Sequence, residues 1–78
     1  MTPAEIKAAA ITKIAELDEA LAMHPPVDLN LDANRVPGDD RAEKLLAAAA
    51  VALTKSGKHT TVRHAARIRE LLSRYVSA

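Results

Sequence analysis

The sequence predicts an all-α fold, a small three-helix domain, and three observations carry the prediction. Stretches near the beginning and end of the chain repeat apolar residues at spacings of three and four. A third stretch, between them, is dominated by Ala and Leu, the strongest helix formers. Proline, glycine and aspartate gather in the intervals rather than inside these stretches.

Helix 1 is expected over about residues 3–24. Thr2-Pro3-Ala4-Glu5 reads as its start, because Thr2 can cap open amides, Pro3 suits the first helical position and Glu5 can reach back to the cap. Ile6, Ala10, Ile14, Leu17 and Leu21 then share one face. Pro25-Pro26 stops the helix, since proline has no amide proton and restricts the residue before it.

Residues 25–39 form a long connection in which Val27, Leu29 and Leu31 alternate with Asp28, Asn30 and Asp32, the pattern of an extended segment with one apolar edge. Val36-Pro37-Gly38-Asp39 has the Pro-Gly order of a type II turn. A connection this long is expected to strap over the helices.

Helix 2 is expected to begin near Asp40, with Asp40 as cap and Glu43 reaching back, and to end at Gly57. Leu45, Ala49 and Ala52 share a face, with Ala42, Leu46 and Leu53 on its flank and Val51 nearly opposite. An apolar circumference of this kind suggests the central helix, or one that meets a second chain. Helix 3 starts at Thr60 or Thr61 and runs nearly to Ala78. Val62, Ala65, Ile68, Leu72, Tyr75 and Val76 lie on its buried side, and Arg63, Arg67, Glu70 and Arg74 on the other. Helices 2 and 3 are expected to form an antiparallel pair with helix 1 across them, all within one domain over residues 1–78.

A chain of 78 residues buries only about 60% of the surface it exposes when unfolded. With no Cys and Tyr75 as its one aromatic residue, this chain lacks disulfides and bulky core groups. Close helix packing, a bound ligand or self-association are the candidate compensations, and so little bulky side chain per residue favours self-association. The longest apolar run, Leu45 to Leu53, is too short to span a bilayer, and the N-terminus lacks a basic, then apolar, leader pattern. A cytoplasmic protein without a membrane partner is therefore expected.

The net charge of +1 conceals a split: residues 1–40 carry −5 and residues 41–78 carry +6. Six of the eleven basic side chains fall between Lys55 and Arg74. One reading is that the halves complement each other, within a chain or between chains. The other is a docking face for an anionic partner, with Lys55, Lys58, His59, Arg63, Arg67 and Arg74 as contact residues. A nucleic-acid reading would take residues 55–59 as the turn and residues 60–67 as the start of a recognition helix. Against it stand the near-zero total charge and the scarcity of aromatic residues for base stacking.

The order Asp28-Leu29-Asn30-Leu31-Asp32, with Asp39 at the twelfth position, is similar in spacing to an EF-hand calcium loop. Ala33 stands where the sharp bend needs glycine, Pro37 intrudes and Asp39 is shorter than the usual glutamate, so these groups read as turn caps and no metal is expected. His59 and His64, five apart, point about 140° from each other on a helix and do not make a ligand pair. His24 reads as a helix-end group. No phosphate-cradling glycine loop, activated nucleophile or enforced acid/base pair is present, which leads to the expectation of a non-enzyme without cofactor. The composite expectation is a non-catalytic protein-interaction module, a small regulator, adaptor or inhibitor of bacterial or phage type. Its partner is another protein or an identical chain, and nucleic acid or another anionic ligand is the alternative.

Overall fold

A computed structural model of the chain describes residues 1–32, 34–54 and 61–78. The described residues form three helices and no strand: α1 (Pro3–Leu21), α2 (Asp39–Ala52) and α3 (Val62–Ser77). The capping box at α1 is complete, with Glu5 N–H donating to Thr2 Oγ1 at 3.2 Å and Thr2 N–H donating to Glu5 Oε1 at 3.0 Å. These bonds hold the Glu5 carboxyl below its ordinary pKa, chiefly through the backbone amide of Thr2.

Several boundaries differ from the sequence expectation, each for a local reason. α1 stops at Leu21 rather than His24: Ala22 N–H bonds Glu19 O and His24 N–H bonds Leu21 O, both tightened to a three-residue spacing as the chain approaches Pro25. It is thus the amide of His24, and not its imidazole, that meets a terminal carbonyl. Gly38, not Asp40, is the N-cap of α2. It is extended (φ −81°, ψ −179°), which rules out the type II turn, because that turn needs a positive φ at this glycine. Asp39 and Asp40 fall in the first turn of α2, where negative charge suits the helix dipole. α2 ends at Ala52, since both the amide and the hydroxyl of Thr54 turn back onto Val51 O. Gly57 lies outside the described residues.

α3 runs antiparallel to both other helices. Ile6 near the start of α1, Ala42 near the start of α2 and Tyr75 near the end of α3 form one buried cluster. The larger cluster joins Ala10 and Leu17 of α1, Leu45 and Ala49 of α2, and Ile68, Leu71 and Leu72 of α3, while Leu46 and Val76 pack against both clusters. Ala10, Ala42 and Ala49 are fully covered, small side chains that permit close packing between the helices. The bulk of the core comes from α3, whose Ile68, Leu71, Leu72 and Tyr75 make an i, i+3, i+4, i+7 stripe. α2 is not the central helix. Its circumference is apolar mainly through alanine, burial follows the Leu45 side, and Ala47, Ala50 and Val51 stay exposed.

The segment between α1 and α2 straps over α3. Val27, Leu29 and Leu31 are half-buried and alternate with exposed Asp28, Asn30 and Asp32, with Leu31 packed on the larger cluster. The backbone is not extended throughout: Asn30 takes a left-handed φ of 50°, which asparagine tolerates, and its amide donates to Asp28 Oδ1 at 3.1 Å. No described helix is long and apolar enough to cross a membrane.

Candidate functional site

Helix 3 sorts the basic side chains into two groups. Arg69 and Arg74 are engaged in the fold. Arg69 Nε donates to Asp18 Oδ1 of α1 at 2.7 Å, and its guanidinium also lies 3.5 Å from Glu70 Oε2. Arg74 Nε donates to Glu70 Oε1 at 3.3 Å, while Nη1 donates to the carbonyls of Asp32 and Arg35 in the strap. A continuous run of charge therefore links α1 to the strap through Asp18, Arg69, Glu70 and Arg74. This run brings part of the acidic half of the chain against part of the basic half within one molecule.

Arg63 and Arg67 behave differently. Both are exposed, they stand four residues apart on one side of α3, and among the described residues neither has an ion pair or a hydrogen-bonded partner. Ala65, half-buried and packed on the larger cluster, seats this part of the helix, and Thr61 caps it by accepting from His64 N–H at 3.0 Å. The imidazole of His64 is exposed beside the two arginines in sequence. Lys55, Lys58 and His59, the other contact residues expected from sequence, lie outside the described residues.

The charge at this helix start runs against the helix dipole. α1 opens with Glu5 and α2 with Asp39 and Asp40, whereas the first turn of α3 contains no acidic residue and does contain Arg63. A cation there costs about 0.3–1 kcal/mol. Arg74, in the last turn, sits where the dipole favours it.

Of the calcium-like spacing, Asp28 and Asp32 cap turns of the strap, while Asp39, in the first turn of α2, bonds across to α3. Asp28 accepts from Asn30 N–H, Asp32 Oδ1 accepts from Asn34 N–H at 2.9 Å, and Asp39 Oδ1 accepts from the Tyr75 hydroxyl at 2.6 Å. Among the described residues no three His, Asp or Glu side chains converge as metal ligands. A shallow open groove runs along the outside of α2, lined by Asp40, Glu43, Lys44 and Ala47, with the N-terminal amine 3.5 Å from Glu43.

Sequence spacing did not reveal the Asp18–Arg69 and Tyr75–Asp39 contacts, which join residues far apart in the chain. The Tyr75 pair gives a pH signature. The bond to Asp39, followed by burial of the ring, raises the phenol from its ordinary 10 to about 12. Because the folded value is the higher one, the stability this group contributes is intact below pH 10 and is lost as pH rises to about 12. Tyr75 is the sole tyrosine and there is no Trp, so an ultraviolet absorbance titration should show one late phenolate transition. Tyr75→Phe should remove that transition and flatten the alkaline fall in melting temperature. A native titration midpoint at the ordinary value would contradict the contact.

No protein-family model matches the chain, no curated protein sequence matches it, and no solved structure matches its fold.

Proposed function

We propose that this chain is a non-catalytic protein-interaction module, a small regulator, adaptor or inhibitor that presents the basic start of α3 to another protein. One observation carries the reading: Arg69 and Arg74 are engaged by the fold, whereas Arg63 and Arg67 are exposed and unpaired among the described residues. Solvated arginines are common on helices. What favours a contact role is that this pair includes a charge on the unfavourable end of its own helix, where stability alone would select an acid. Ala66, small and half-buried, lies between the two in sequence and leaves room for a partner to approach.

The test is photo-crosslinking from position 66 in cells of the source organism. A discrete protein adduct is expected, reduced more than about tenfold by Arg63→Glu with Arg67→Glu. It should survive Lys7→Glu with Lys44→Glu, a reversal of equal size at exposed lysines on the other two helices. Equal loss in both variants would leave only a nonspecific charge effect, and no adduct would sink the reading.

A further inference from the structure

The arrangement at the start of α3 also bears on what kind of protein segment fits it, an inference that rests on Arg63 and Arg67 being a contact face. We propose that the occupant is an acidic α-helix with two carboxylates one turn apart, seated on Arg63 and Arg67, and that seating it relieves a repulsion built into the first turn of α3.

The first step is electrostatic. α1 and α2 carry acid in their first turns, in α2 beside Arg41, whereas the first turn of α3 carries Arg63 and no acidic residue of its own. A sequence that obeys a local rule at two helices and breaks it at the third, on exposed residues that bear on no core contact, places the departure where a function can account for it. An approaching carboxylate would neutralise the guanidinium and complement the helix end together.

The second step is spacing. Residues four apart on a helix hold their Cβ atoms about 5–6 Å apart, so Arg63 and Arg67 repeat at the interval that i, i+4 carboxylates repeat on a facing helix. Guanidinium groups bind carboxylates through paired N–H donors, which makes this match more selective than a match of point charges. Ala66, between them in sequence, presents only a methyl group to the facing helix.

The third step is extent. A duplex is held by many phosphate contacts, about 6–10 in a typical protein complex. Here the described face offers two arginines, and the next turn brings the partly exposed carboxylate of Glu70. Glu70 is itself taken up by Arg69 and Arg74, so the free positive charge of this face is limited to two guanidiniums, enough for two carboxylates of a short acidic helix and few for a duplex.

The experiment uses three probes against the whole chain: an alanine-based helical peptide with glutamates at i, i+4, a peptide of the same composition with glutamates at i, i+2, and a short DNA duplex. Binding is followed by calorimetry at low and moderate salt, with melting temperatures of the wild type, Arg63→Gln and Arg63→Glu. The i, i+4 peptide should bind about tenfold more tightly than its isomer and raise the melting temperature. Arg63→Glu should abolish binding yet raise the melting temperature of the free chain by about 4 °C, with Arg63→Gln between. Equal binding of the two peptides would overturn the spacing, and a lower melting temperature in Arg63→Glu would overturn the built-in repulsion. Duplex binding without peptide binding, lost in Arg63→Glu, would replace the protein partner by nucleic acid while leaving the basic face. Failure of every probe, with the crosslink at position 66 intact, would overturn the acidic helix and spare the interaction reading. Failure of both experiments would remove both.

Discussion

Leu72→Ala is expected to destabilise the protein by about 3 kcal/mol, because it removes a fully buried side chain from a rigidly packed core and leaves a cavity. Leu72 is wholly shielded in the larger cluster, where its neighbours in sequence and space, Ile68 and Leu71, are themselves held by α1 and α2. The surrounding positions are poor at collapsing into the gap: Ala10 and Ala49 have no side-chain reach, and the only aromatic residue belongs to the other cluster. A chain of this size has a total stability of about 4–12 kcal/mol, so the loss is a large fraction of the whole. Urea denaturation followed by circular dichroism should show a lower midpoint with an unchanged slope, and heating should show a fall of about 12–24 °C. Val51→Ala, on the exposed side of α2 at 57% exposure, should change stability by less than about 0.5 kcal/mol. A Leu72→Ala loss no larger than that would mean that the packing of α3 against α1 and α2 is not as described.

The helices were legible in the sequence wherever periodicity and caps agreed. Thr2, Pro3 and Glu5 fix the start of α1 by local hydrogen bonds, and Thr61 fixes the start of α3 in the same way. The alternation of Val27, Leu29 and Leu31 predicted which strap residues turn inward, although the left-handed Asn30 is a matter of Asx-turn chemistry that alternation does not encode. Leu71 escaped the apolar stripe assigned to helix 3 because that stripe was centred toward Ala65 and Val76. The observed burial is rotated toward Leu71, since α3 is covered on two sides by α1 and α2. Helix 2 was misplaced as central for a related reason: alanine raises apolar character all round a helix without adding the volume that decides burial. At the candidate site the charge split was legible, but its division was not. Which arginines are engaged depends on Asp18, Asp32 and Arg35, contacts that lie 39 to 51 residues away in sequence.

That division gives Arg74→Ala an expected cost of about 2 kcal/mol, opposite in sign to the effect of reversing Arg63. The Arg74 side chain is only 22% exposed, and its guanidinium ties two strap carbonyls and the Glu70 carboxylate at one point. Hydrogen bonds from a charged group contribute about 1.5–3 kcal/mol each when buried, but Asp32 and Arg35 are exposed and water can take over their carbonyls, so the three do not add to their buried values. Arg74→Lys keeps the charge and loses the fork, and should recover less than half of the loss. Asp18→Asn, at a bridge whose carboxylate is 52% exposed, should cost no more than about 1 kcal/mol. Since Arg74 acts through the strap, its removal should also speed tryptic cleavage after Arg35 severalfold under native conditions, where the Asp18 variant should not. Cleavage at the wild-type rate would show that Leu31 and its apolar neighbours hold the strap without the arginine. Faster cleavage in Arg74→Ala, set beside a raised melting temperature in Arg63→Glu, would separate the basic residues of α3 by energetics: one arginine that the fold requires, and one that it carries at a loss.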